Sequence, residues 1–405
     1  MVICYWINKA KTAISIINEV KQLKAQSNSN SNSGAAHQAF PVIGNSQLEA
    51  STMERFLIDI AREKPIRFAP SHLAAFTLNF SEELGSGSFG VVYKGRFPSG
   101  VLIAVKVLNR SSGKRMEEQF MAEVGTIGRT YHANLVKLYG FCFDPNMQAL
   151  VYEYMENGSL DKLLFSDLSK TIEWEKLHEI AIGIAKGIAY LHEECQQRII
   201  HYDIKPGNVL LDSGLNPKVA DFGLAKLYNQ SSTHVLMSGW RGTPGYAAPE
   251  LWAPFPVTYK CDVYSFGMLL FELIGRRRNH DANLIGYSQE WLPQWTYEML
   301  KKNELLEMIS YCKIPEENKE KAKRIVLVAL WCIQYLPAKR PLMSTVVKML
   351  EGAVEIALPP NPFSYLEANN LNSAFNSEID GNYDSSSSSI KPVIQSSNCK
   401  IEIIS

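Results

Sequence analysis

The pattern of apolar and polar positions changes character along the chain. Residues 1–50 open on a short apolar run, Val2 to Ile7, which stops at Asn8-Lys9 and gives way to a polar low-complexity stretch, Gln26 to Gly34. That segment has little to bury and is expected to be disordered or peripheral. Ser51-Thr52-Met53-Glu54 then fits a helix-opening capping box, and Met53, Phe56, Leu57 and Ile60 recur on one helical face. A short helix and linker are expected over 51–78. From about Phe80 the texture is that of strands. Gly90 to Lys94 and Val101 to Val107 are β-rich runs joined through Pro98-Ser99-Gly100, and a further apolar run covers Ala149 to Tyr152.

Past the loop Glu156-Asn157-Gly158-Ser159 the period becomes helical. Leu177, Ile180, Ile184, Ile188 and Leu191 hold one face, and Val263 to Ile274 is apolar almost throughout, which predicts a helix buried on most sides. Residues 325–335 and 342–350 add two more helical segments. Pro359-Pro360 closes this region, and the serine run Ser385 to Ser389 marks 359–405 as a disordered tail. Strands first and helices second predict an α+β protein in two lobes: a small β-rich N-lobe over 79–154 and a larger helical C-lobe over 155–358.

Composition narrows the function classes. The 405 residues are 46% hydrophobic, enough for a real core, and the 41 Lys+Arg balance the 41 Asp+Glu. A nucleic-acid partner bound by bulk positive charge is therefore not expected. The 7 cysteines are scattered without a C-x-x-C pair, which argues against a disulfide scaffold or zinc module and for a reducing compartment. No run reaches about 18 uninterrupted apolar residues, so no membrane span is expected, and Val2 to Ile7 is too short for a secretory signal core. A soluble intracellular protein is the expectation.

The candidate chemistry begins at Gly85-Ser86-Gly87-Ser88-Phe89-Gly90, a G-x-G-x-x-G match. A dinucleotide-binding turn shares this pattern, but it requires a helix next and an acidic residue about 20 positions on. Here the strand Val91-Val92-Tyr93 follows, and Lys106 occupies that later position. The glycines therefore belong to a hairpin whose backbone N–H groups can approach phosphate oxygens. Lys106 lies in an otherwise apolar strand and needs a partner; Glu123, on the helix face of Phe120, Val124 and Ile127, is the candidate, with a solvated surface charge as the alternative.

Within His201-Tyr202-Asp203-Ile204-Lys205-Pro206-Gly207-Asn208, Asp203 can orient a hydroxyl or accept its proton. Lys205 can neutralise a phosphoryl group in transfer, and Asn208 offers a hard oxygen to Mg²⁺. Asp221-Phe222-Gly223 would complete the metal site. Arg276-Arg277-Arg278 reads as a solvated loop before an anion site. Trp291, Trp295 and Trp331 read as helical-lobe core.

These motifs, with Ala248-Pro249-Glu250, resemble the eukaryotic protein-kinase family, in family order and over about Phe80 to Leu358. More narrowly, Met53 to Phe68, Arg241 to Tyr246 and Phe255 to Asp262 resemble plant receptor-like serine/threonine kinases of the leaf-rust-resistance type. The resemblance implies ATP and Mg²⁺ as cofactors and Ser/Thr hydroxyls of protein substrates as acceptors. It implies catalytic roles for Asp203, Lys205 and Asn208, and a metal held by Asn208 and Asp221. Nucleotide contacts are implied for Leu84, Gly85, Ser86, Gly87, Ser88, Phe89, Gly90, Val91, Val92, Ala104, Lys106 and Glu123. The adenine slot is implied around Glu153 to Met155, bonded by the backbone of Glu153 and Met155 and guarded by Tyr152. Asp262 is implied to support the catalytic loop, and Arg340 to pair with Glu250. Tyr202 stands where many kinases carry Arg, which is the non-RD pattern; it keeps Asp203 but removes a charge that would hold an activation-loop phosphate. A scaffold that no longer catalyses is the rival reading. The cytoplasm, the inner face of the plasma membrane and other receptor kinases as partners complete what the likeness implies.

Overall fold

The computed structural model describes residues 65–87, 90–109, 113–166, 172–229, 241–252, 256–281 and 290–364. The capping box at Ser51 and the tip of the glycine hairpin, Ser88 and Phe89, lie outside these residues. Chain order separates the two lobes as the change of period predicts. Strands β1 (Ile66–Arg67), β2 (Glu83–Gly87), β3 (Gly90–Arg96), β4 (Leu102–Leu108), β5 (Leu138–Asp144) and β6 (Met147–Glu153) form one six-stranded sheet ordered β1-β5-β6-β4-β3-β2. It carries helices α1 (Pro70–Phe76) and α2 (Gly113–Thr126). In β4, Ile103 and Val105 are fully buried, whereas Ala104 and Lys106 face the opposite side, the period-2 alternation that aims Lys106 out of the core.

Residues 65–77 pack on the small lobe ahead of the expected boundary at 79. Strand β1 pairs in parallel with β5 through Ile66–Gly140 and Arg67–Phe141, and Phe68, Leu73 and Phe76 pack with Phe97, Ile103 and Val105 in the small-lobe core. The amide of Phe68 donates to the Phe141 carbonyl at 2.7 Å, and Arg67 reaches the Phe143 carbonyl at 2.8 Å. A two-residue parallel strand leaves almost no periodic signal, so the sequence alone shows a linker.

The large lobe is helical: α3 (Leu160–Leu164), α4 (Trp174–Ala189), α5 (Lys260–Gly275), α6 (Leu292–Lys301), α7 (Leu305–Tyr311), α8 (Lys319–Cys332) and α9 (Met343–Glu351). Short strands β7 (Arg198–Ile200), β8 (Val209–Leu211), β9 (Pro217–Val219) and β10 (Lys226–Tyr228) carry the loops between α4 and α5, pairing as β10-β7 and β8-β9. Leu177, Ile180, Ile184, Ile188 and Leu191 are all buried, as is nearly every side chain of α5. Arg340, 1% exposed, forms a two-pronged ion pair with Glu250 at 2.6 and 2.8 Å, pinning the Ala248-Pro249-Glu250 turn to the base of the lobe.

Two smaller expectations are corrected. Of the three tryptophans only Trp295 is buried; Trp331 turns its indole N–H outward to the Ala357 carbonyl at 2.8 Å. The arginine run is not simply solvated, because Arg276 bonds the Ile172 carbonyl at 2.8 Å and Arg278 stacks on Phe165 at 4.0 Å. Cys142, Cys195, Cys261, Cys312 and Cys332 form no disulfide among the described residues. No helix among the described residues is long and apolar enough to cross a membrane.

A test of the small-lobe boundary follows from Gly140. A Cβ there would sit 2.2 Å from the Ile66 carbonyl oxygen and 2.6 Å from the Phe68 ring. Gly140→Ala is expected to lift β1 and cost about 1–3 kcal/mol of stability, read as a lower melting temperature with loss of hydrogen-exchange protection at Phe68. Unchanged protection would mean that β1 is not part of the folded lobe.

Candidate active site

The two lobes enclose a cleft of about 390 Å³. Leu84, Gly85, Val92 and Ala104 line its upper wall, Leu210 and Ala220 its lower wall, and Glu153-Tyr154-Met155 the segment connecting them. Lys106, Glu123, Tyr152, Asn208 and Asp221 converge on its inner end. Ser86, Gly87, Gly90 and Val91 belong to the same hairpin but are not part of this lining. Gly90 is required by packing, since at φ 150° its Cβ would fall 2.1 Å from the Val107 carbonyl oxygen. Gly85 and Gly87 face open space instead, which leaves backbone accessible to a ligand.

Lys106 is held from both sides. Its Nζ lies 2.7 Å from Glu123 Oε1 and 3.0 Å from Asp221 Oδ1, so it links helix α2, strand β4 and the Asp221-Phe222-Gly223 turn. The other Glu123 oxygen, Oε2, accepts a hydrogen bond from the Tyr152 hydroxyl. Burial works against the Lys106 charge, but Asp221 and Glu123 outweigh it and hold the ammonium well above its ordinary pKa. Burial likewise pushes the Asp221 carboxyl up, yet the neighbouring Lys106 leaves it below the usual range and ionised. Burial and the Glu123 carboxylate push the Tyr152 phenol well up, so it stays a donor.

Below the cleft, Asp262 of α5 shapes the loop that follows β7. Its fully buried carboxylate accepts the backbone N–H groups of His201 and Tyr202, both at 2.8 Å, and lies 2.9 Å from His192 Nε2. Tyr202 takes φ 67°, a left-handed conformation that costs a bulky residue energy and is sustained by these bonds. The turn delivers Asp203, whose Oδ1 accepts the Thr243 hydroxyl at 2.6 Å. Its Oδ2 accepts Asn208 Nδ2 at 2.8 Å and pairs with Lys205 Nζ at 2.9 Å. Lys205 also donates to Thr243 Oγ1 at 2.7 Å. With the Asn208 amide nitrogen committed to Asp203, its oxygen is the atom left for a cation. His201 bonds the Ala220 carbonyl at 3.0 Å from a fully buried position, a structural placement that also ties this loop to the turn carrying Asp221.

Comparison with known proteins bears on this geometry. The family model described as protein tyrosine and serine/threonine kinase matches residues 78–350. The chain belongs to the protein kinase family. The kinase is 46% identical over 318 residues to "Rust resistance kinase Lr10" of Triticum aestivum, an alignment covering 77% of this chain and 49% of that protein. It is 43% identical to a "PR5-like receptor kinase" of Arabidopsis thaliana, covering 74% and 45%. It is also 43% identical to a leaf rust 10 disease-resistance locus receptor-like protein kinase of the same plant, covering 73% and 45%. The chain thus spans about half the length of these curated relatives.

Several cleft residues escaped the sequence reading. Leu210 and Val136 line the cleft but sit in ordinary apolar runs, and only the position of Leu210 two residues past Asn208 hinted at its place. The Glu153 side chain was also unforeseen. It accepts the Lys137 amide at 2.7 Å and pairs with Lys218 of β9 at 2.9 Å, bracing the connecting segment against both lobes.

If Lys106 and Glu123 act as one unit in the kinase, Lys106→Met and Glu123→Ala should each reduce phosphoryl transfer at least tenfold, about 1.4 kcal/mol. The double variant should then lose much less than the sum. Steady-state rates on one peptide give the coupling, and full additivity would show that the two residues act independently.

Proposed function

We propose that this domain transfers the γ-phosphoryl group of ATP, in the presence of Mg²⁺, to serine and threonine hydroxyls of protein substrates. The observation that carries the reading is the placement of Asp203. Its carboxylate is fixed by Asn208, Lys205 and Thr243 and stands beside a cleft whose inner end holds the Lys106–Glu123–Asp221 cluster.

The donor set fits Mg²⁺. Asp221 is kept ionised by Lys106 and would hold the ion, with the Asn208 oxygen as a second hard ligand. When bound, Mg²⁺ neutralises charge on the transferring phosphates.

Asp203 orients the acceptor hydroxyl and takes its proton, while Lys205 stabilises charge on the phosphoryl oxygens. Lys106, steadied by Glu123, holds the other phosphates. The Glu153 and Met155 backbone would bond the adenine edge, and Ala104, Val92 and Leu210, which line the same cleft, would flank the base. The Thr243 bridge between Lys205 and Asp203, together with relatives named as serine/threonine kinases, favours short hydroxyl acceptors. Protein substrates in the cytoplasm or at the inner face of the plasma membrane, and other receptor kinases as partners, belong to the same proposal.

Tyr202 bears on regulation. It is 1% exposed, packed with Ile200, Ala248, Leu251, Val257 and Cys261, and its hydroxyl meets that of Tyr228 at 3.0 Å. Apolar packing occupies the place where a charge would read a phosphate. Ser231, Ser232, Thr233 and Ser238 lie outside the described residues, so the proposal concerns only their effect on rate.

Two measurements test the reading. Asp203→Asn and Asp221→Asn should each lower transfer of labelled phosphate from Mg-ATP by at least about a hundredfold with the fold intact by circular dichroism. Undiminished transfer in both would show that these residues have no catalytic role, and absence of transfer by the wild type would favour the scaffold instead. Alanine at Ser231, Ser232, Thr233 and Ser238 together should change the maximal rate by less than about tenfold. A hundredfold loss would instead reveal a working phosphate switch.

A further inference from the structure

A cavity of about 440 Å³, slightly larger than the cleft between the lobes, lies in the large lobe and shares no lining residue with that cleft. Three stretches of chain close around it: the turn at Pro249, residues 256–260 leading into α5, and residues 335–338 between α8 and α9. Its wall is mostly apolar and stiff. Pro249, Pro256 and Pro337 have φ fixed by their rings, and Tyr259, Tyr335 and Leu336 line the cavity beside them.

The polar members of the wall are Glu250, Thr258 and Lys260. Glu250 adds no net charge, because both its oxygens are taken by the buried Arg340 guanidinium. The Thr258 hydroxyl oxygen accepts the Lys260 amide at 3.2 Å, which leaves its proton to donate. Lys260 is held from two sides. Its Nζ donates to the Arg340 carbonyl, and the Arg340 guanidinium returns a bond to the Lys260 carbonyl at 3.0 Å. The ammonium also faces the Tyr259 ring at 5.7 Å, but it forms no ion pair with a carboxylate among the described residues. The other groups that bear on it are Arg340, which repels it, the Cys332 thiol, which burial keeps protonated, and Glu193, whose Oε1 accepts the Ser344 amide at 3.0 Å. Burial and Arg340 hold the Lys260 ammonium below its ordinary pKa, the mark of a cation short of negative charge.

A half-buried ammonium, a hydroxyl with a proton to give and a stiff apolar wall complement a flat apolar body that carries one negative group. We propose that this cavity binds a small aromatic carboxylic acid, its carboxylate met by Lys260 and Thr258 and its rings covered by the proline and tyrosine wall. The volume suits a body of about two fused rings. Binding there requires neither ATP nor phosphoryl transfer.

The test uses the full chain and two probes of one shape, 2-naphthoate and the uncharged 2-naphthamide, with affinities read by NMR titration. Wild type is expected to bind the acid with a Kd of about 1 mM or tighter and to prefer it to the amide about tenfold. That preference should shrink with added salt. Lys260→Gln, which keeps a donor for the Arg340 carbonyl, should bind the two probes equally. Ala338→Trp, which fills the cavity from an exposed position, should bind neither, with an unchanged melting temperature to show that the lobe is intact. ATP should leave acid binding unchanged, and decanoate, a flexible chain of the same charge, should bind less well. No detectable binding of the acid to wild type, equal affinity for acid and amide, displacement by ATP, or acid binding that survives Ala338→Trp would overturn the site. An acid preference that survives Lys260→Gln would overturn the role of Lys260, and tighter binding of decanoate would overturn the aromatic class.

Discussion

A single buried carboxylate organises the chemistry of this molecule. Asp262 sits at the start of α5, the most apolar helix among the described residues, where burying a charge is costly unless it is fully hydrogen-bonded. Its bonds come from two consecutive backbone N–H groups and the His192 ring. Those two amides belong to the residues just before Asp203. Satisfying the buried acid therefore fixes the backbone that presents the Asp203 side chain, and it sustains the left-handed turn at Tyr202. The helix core, the loop and the placement of Asp203 are thus one constraint viewed at three scales.

The cleft is assembled from elements distant in sequence, and each junction uses a charged hydrogen bond. Lys106 joins strand, helix and turn, Glu153 braces the segment between the lobes, and Glu250 with Arg340 anchors the far end of the large lobe. The apolar cores make the lobes, while these paired charges set the positions of the cleft side chains relative to one another.

Much of this was legible because the chemistry is carried by short linear motifs. Lys106 stands out as a lone cation in an apolar strand, and Asp203, Lys205 and Asn208 are neighbours in sequence as well as in space. The two-lobed α+β fold followed from the change in period near Glu156. What escaped depends on contacts that no local pattern records. Strand β1 has only two residues and a parallel partner far along the chain. The Tyr152–Glu123 bond and the Glu153–Lys218 pair join side chains whose own segments look like ordinary core or surface. The arginine run was misjudged for the same reason, since its partners Ile172, Phe165 and Tyr246 come from three other segments.

The added strand at the edge of the small lobe also has a mechanical meaning. Ile66 and Arg67 run alongside β5, which neighbours β6, and β6 leads directly into the segment joining the lobes. A pull directed along the β1 axis would load its lateral hydrogen bonds together, not open them one at a time. A pull at this point would be transmitted through β5 to β6, the strand that leads into the segment lining the cleft.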